Sequence, residues 1–148
     1  MKNGKYEEYG RINWYLNDKL HRVGGPAVEY SDGVEWYLNG LRHREDGPAF
    51  EGYTQGHKYK AWWLNGEMHR EDSPALIRED GLNRWHLHGK LHCETGPAIL
   101  DANGLKQWFL NDVELTEEEF NRWYEKKELN KKLQQNLLAK PNIKNKKI

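Results

Sequence analysis

Residues 36–49 read WYLNGLRHREDGPA, and the same pattern returns, whole or in part, at four other places in a chain of 148 residues. Trp14, Trp36, Trp62, Trp85 and Trp108 are separated by 22, 26, 23 and 23 residues. A period near 23 means stacked supersecondary units. Seven residues after each of the first four tryptophans stands a histidine (His21, His43, His69, His92), and five residues later a Pro-Ala pair begins at Pro26, Pro48, Pro74 and Pro97. The fifth copy breaks off after Leu110-Asn111-Asp112.

Within a copy, Asn39-Gly40 and Asn65-Gly66 predict type I′ hairpin turns, which need positive φ at both central residues. Asn17-Asp18 and His88-Gly89 are weaker versions of the same signal. Pairing outward from Asn39-Gly40 sets Leu38 opposite Leu41, Tyr37 opposite Arg42 and Trp36 opposite His43. One step further, the expected pairs are Asn13 with Arg22, Glu35 with Arg44, Ala61 with Arg70 and Arg84 with Cys93. Arg on one strand is absent from the other, as the cost of like charges across a ladder requires.

The Gly-Pro turn of REDGPA ends that ladder, because proline has no N–H to donate. A second hairpin then runs through AVEYSDGVEW. The distance from alanine to the next tryptophan is 9, 10 and 10 residues in three copies but 13 between Ala49 and Trp62, so the third copy carries a longer tip. KYEEYGRINW at 5–14 reads as the second half of a preceding unit, with residues 5–9 as a starting edge strand. The expected fold is mainly β: tandem β-hairpin repeats forming a twisted antiparallel meander over 1–116. The hydrophobic period changes after it. Thr116 and Glu119 have the capping-box spacing, and Phe120, Trp123, Tyr124, Leu129, Leu133 and Leu137 recur at helical intervals. A C-terminal helix over 117–139, packed on the repeat domain, is therefore expected, followed by a basic disordered tail over 140–148.

Seven Trp, eight Tyr and three Phe supply apolar surface to an otherwise polar chain. Cys93 is the single cysteine, no run of apolar residues is long enough to span a bilayer, and the N-terminus lacks a signal-peptide core. These features predict a cytoplasmic protein that does not enter membranes. The net charge is zero but unevenly placed: residues 1–125 hold 15 Lys plus Arg against 22 Asp plus Glu, a balance of −7, and residues 126–148 hold +7. An acidic body suits basic protein surfaces.

The repeated histidines are not a shared metal site. Successive rungs stand at least two strands apart, about 10 Å, whereas zinc holds its donors at about 2 Å. They are expected to pack against tryptophan and bond to turn backbone. His86, His88, His92 and Cys93 are the one local cluster of ligating types, but the register sends His86 and His92 to opposite faces. The Asp-Gly-Pro turns precede no helix N-terminus and so resemble no phosphate loop. Glu45-Asp46 and Glu71-Asp72 recur in step with the repeat, whereas a reacting acid and base need dissimilar environments. No enzyme activity, metal or cofactor is expected.

Two binding readings follow. Tyr53, His57, Lys58, Tyr59 and Lys60, in the longer tip, are residues the repeat does not require, and they combine amphipathic rings with positive charge in the manner of an interface anchor. The alternative uses the aromatic and arginine faces, Trp36, Arg44, Trp63, Arg70 and His86, to hold a small nucleotide or a nucleic acid by stacking and charge pairing. The acidic body disfavours long polyanions.

The motif W-Y-L-N-G-x-x-H-R-x-D-G-P-A, whole at 36–49 and nearly whole at 62–75, resembles the β-hairpin repeats grouped as MORN-repeat variants, over about residues 5–125. Similar arrays ending in a TEEEF-like helix occur in tailed phages and giant viruses, and some bacterial relatives are antitoxins. The resemblance implies a single-layer sheet without catalytic residues and a role in binding a host or cognate protein, as an anti-defence inhibitor or antitoxin does. The copies depart from the pattern at Ser73, His86, Cys93 and Thr95.

Overall fold

The computed structural model describes residues 1–139, so the tail expected at 140–148 lies outside it. The protein is mainly β. Its principal sheet is an antiparallel meander that begins with Gly4–Glu8 and Arg11–Leu16 and runs through Val28–Glu29, Val34–Glu35, Phe50–Thr54, His57–Ala61, Leu76–Arg78, Asn83–Arg84 and Ile99–Leu100. It ends on Lys106–Leu110 and Val113–Leu115, and each strand neighbours the next of the series.

Turn chemistry fixes the connections. Asn39 and Gly40 have φ of 51° and 82°, Asn65 and Gly66 of 50° and 83°, and the less orthodox pairs Asn17-Asp18, His88-Gly89 and Asn111-Asp112 share that conformation. Tyr37 pairs with Arg42 and Leu38 with Leu41. These Asn-Gly hairpins, however, are not rungs of the principal sheet. Tyr37–Leu38 with Leu41–Arg42, Trp63–Leu64 with Glu67–Met68, and His86–Leu87 with Lys90–Leu91 form a second row of two-stranded ladders.

The tryptophan is where a strand changes partner. Trp36 donates its N–H to the Ala49 carbonyl across the sheet at 2.7 Å, while its own carbonyl accepts from His43 at 3.1 Å within the hairpin. The expected pairing of Glu35 with Arg44 therefore fails: Glu35 lies opposite Val28 and Phe50. The Arg44 N–H instead crosses to the Trp63 carbonyl of the next copy.

Between the rows, the loops Arg22–Pro26, Arg44–Pro48 and Arg70–Pro74, the last with Ser73 in place of glycine, each fold back over a tryptophan. Arg22, Arg44 and Arg70 place their guanidinium carbons 4.1, 4.0 and 3.9 Å from the ring centroids of Trp14, Trp36 and Trp62. Each donates through Nη1 to the carbonyl of its own loop proline, Pro26, Pro48 or Pro74. The alanine after that proline is sealed beneath: Ala27, Ala49, Ala75 and Ala98 are fully buried. An added methylene there costs about 1–3 kcal/mol of overpacking.

The histidines bond to turn backbone, as expected, but across copies. His43 Nδ1 accepts from Asn65 N at 3.1 Å, His69 from His88 at 3.1 Å and His92 from Asn111 at 3.2 Å. His21 does the same with Asn39. At the N-terminal end Asn3 takes the histidine's place, its Oδ1 accepting from Asn17 N at 2.8 Å. At the other end the position holds Leu115, which has no acceptor, and the array gives way to helix.

That helix is Glu117–Leu138, with both bonds of the capping box between Thr116 and Glu119 formed. Three glutamates in its first turn suit the positive end of the helix dipole. Phe120 is its buried residue, with Trp123 and Tyr124 rings at 5.6 and 6.4 Å. Lys127 reaches back to Glu94 of the fourth copy. Packing on the repeat domain stops there: Leu129, Leu133 and Leu137 are all more than half exposed. At 100° per residue, Leu129 stands about half a turn around the helix from Phe120.

Candidate functional site

The third hairpin departs from the repeat as its spacing predicts. Phe50–Thr54 and His57–Ala61 pair over five rungs around a Gln55-Gly56 turn, whereas the corresponding strands of the second copy pair over two. The pairs are Thr54 with His57, Tyr53 with Lys58, Gly52 with Tyr59 and Glu51 with Lys60. The base is held closely. A Cβ on Gly33 would meet the Glu51 carbonyl oxygen at 2.6 Å and Gly52 Cα at 2.8 Å, so only glycine allows this approach of two backbones.

Strand alternation divides the five tip residues between two faces. Tyr53, Lys58 and Lys60 share one face, where Tyr53 is 51 % exposed and Lys60 lies 3.4 Å from Glu51. His57 and Tyr59 share the other. There Tyr59 stacks on Phe50, centroids 4.3 Å apart and planes inclined by 16°. The stack borders a small cleft lined by Tyr30, Gly33, Phe50, Gly52, Thr54 and Tyr59.

Beside this cleft lies the most heavily bonded side chain among the described residues. Glu35 is 5 % exposed and accepts from the Tyr30 hydroxyl, from Tyr37 Oη at 2.7 Å, and from Arg42 Nε and Nη2 at 2.8 and 2.6 Å. Burial alone raises a carboxyl pKa, but these donors together outweigh it and hold Glu35 below the usual carboxylate range. Burial and the bond to Glu35 push the Tyr30 hydroxyl up to about 12. The group is a saturated ion-pair network, and every polar atom of Glu35 is engaged within the protein. Nothing in the 23-residue period marks it, because the corresponding residues elsewhere are Asn13, Ala61, Arg84 and Gln107.

The five residues considered for a nucleotide do not converge. Trp36 and Arg44 are stacked on each other. Arg70 covers Trp62 rather than Trp63, and Trp63 faces Arg42 at 5.5 Å on the opposite side of the sheet. His86 follows Tyr37 and Trp63 in that second column; burial lowers its pKa, and its Nδ1 is enclosed without a hydrogen-bond partner among the described residues.

No protein-family model, curated protein or solved structure matches the chain.

Proposed function

We propose that this protein is a non-enzymatic protein-binding module whose third hairpin is the contact element. The observation that carries the reading is the contrast between that hairpin and the body. In the body, three arginines are stacked on tryptophans and bonded to proline carbonyls, and four histidines are bonded to turns, so the repeated polar groups serve the scaffold. On the extra rungs of the third hairpin, Tyr53 and Lys58 make no such bond among the described residues and lie on one face with Lys60, which pairs with Glu51. Aromatic rings with flanking charge are the residue types that anchor protein interfaces. The motif's resemblance to repeat proteins of phages and bacteria adds the class: an inhibitor or antitoxin acting on a host or cognate protein in the cytoplasm. A nucleotide held between repeats would compete for guanidinium groups already engaged.

The test replaces residues 52–57 by Ser-Asp-Gly, copied from 31–33, and uses parent and shortened protein as bait in parallel. The shortened protein is expected to keep its circular dichroism spectrum and to lose, by more than about tenfold, the protein that the parent captures. Equal capture by both would remove the hairpin from the site.

A further inference from the structure

The fourth copy breaks the arginine pattern at one residue, and the break opens a cleft. Where Arg22, Arg44 and Arg70 lie over Trp14, Trp36 and Trp62, the corresponding residue over Trp85 is Cys93, whose short side chain makes its contact with Thr95 at 3.6 Å instead. Trp85, Cys93 and Thr95 line an open cleft whose wall also carries Glu71, Asp72 and Glu94.

The residue before the loop proline registers the same missing arginine by comparison with two copies that have glycine there, while the third copy holds Ser73. A Cβ on Gly25 or Gly47 would strike the covering arginine, at 2.9 Å from Arg22 Nε and 2.8 Å from Arg44 Cζ. A Cβ on Gly96, the equivalent residue of the fourth copy, meets nothing within 4 Å. The backbone around this space is otherwise that of its siblings: Trp85 N bonds to the Ala98 carbonyl at 2.8 Å, as Trp36 N does to Ala49, and Cys93 N bonds to the Phe109 carbonyl as Arg44 N does to Trp63.

We infer that this cleft is a receptor for a guanidinium group carried by a partner, an arginine side chain that docks on the Trp85 face. The three sibling copies show the geometry such a group adopts, ring-stacked at about 4 Å with one N–H donated to the loop proline carbonyl, here that of Pro97. A planar, weakly hydrated guanidinium suits stacking better than an ammonium. Carboxylates stand ready around it. Glu71 and Asp72 make no ion pair among the described residues, while Glu94 is held by Lys127. Arg70, also in the wall, is engaged by Trp62 and Pro74 and does not fill the space. The site is separate from the third hairpin and stands whether or not that hairpin binds a partner.

The probe is the capped tripeptide Gly-Arg-Gly, with citrulline and lysine counterparts, titrated against the full chain while the indole signal of Trp85 is followed by NMR. The arginine peptide is expected to shift that signal saturably, and the citrulline and lysine peptides to bind at least about tenfold more weakly. Two variants close the cleft. Cys93→Arg restores the sibling residue, and Gly96→Leu sends a side chain into the open space. Both are expected to melt at or above the parent temperature and to abolish the shift. Absence of a saturable shift in the parent, equal binding of citrulline or lysine, or unchanged binding by a folded variant would each overturn the assignment.

Discussion

His43 Nδ1 accepts the backbone N–H of Asn65, 22 residues further on, and thereby joins the end of one hairpin to the turn of the next. Because the amide donates, the ring carries its proton on Nε2, which faces Glu45 at 3.6 Å. The same joint recurs at His21, His69 and His92. The repeat therefore stacks through a side chain as well as through its ladders, and each copy is ordered by the one before it.

Replacing His43 by Leu, the residue that stands at this position where stacking ends, removes the acceptor. The expected loss is about 1 kcal/mol, the net worth of a hydrogen bond at a partly exposed site. His43→Asn keeps an oxygen where Asn3 already supplies one and should recover most of it. Thermal melting of both variants checks the joint, and equal losses would show that ring packing, not the acceptor, matters there.

Gly40→Val places a β-branched residue at φ 82°. The nearest atoms to an added Cβ, on Lys19, are at an ordinary 3.6 Å, so the cost comes from the backbone and not from a clash. A destabilisation of about 1–3 kcal/mol is expected by chemical denaturation.

Glu35 makes acid stability measurable. Its carboxyl is held below its unfolded value, so its contribution is fully present above the unfolded pKa, about 4.3, and is lost as pH falls through the lower folded value. Melting temperature should thus drop on acidification below about pH 4 more steeply in the parent than in Glu35→Gln. At neutral pH that variant should be less stable by about 2 kcal/mol, because Arg42 is left without its charged partner. Parallel pH profiles for the two proteins would show that other groups govern the acid transition.

The helix divides into a docked part and an exposed part. Phe120→Ala removes the one buried helical side chain and should cost about 3 kcal/mol. Leu133→Ala, at a residue 52 % exposed, should stay within about 0.5 kcal/mol of the parent. Amide exchange is expected to be slower around 120–124 than around 130–138.

The sequence by itself determined what depends on neighbouring residues. Positive φ at Asn-Gly pairs, the stop at Gly-Pro, the capping box at Thr116 and the longer third hairpin are consequences of local sterics and counting, and each is found at its predicted place. The partners of the side chains were decided only by the tertiary structure. Outward extrapolation of the hairpin register held to Trp36 and then failed, since that residue bonds across the sheet with its N–H and within the hairpin with its carbonyl. Glu35 consequently meets Arg42 while Arg44 turns onto Trp36. Helical spacing likewise identified the leucines of 129–137, but which face of the helix is covered depends on where the sheet ends. The open Trp85 face was visible in sequence only as an odd cysteine. Its meaning appeared once three sibling arginines were seen lying on three sibling rings, because residues about 20 apart become comparable only when the copies are stacked side by side.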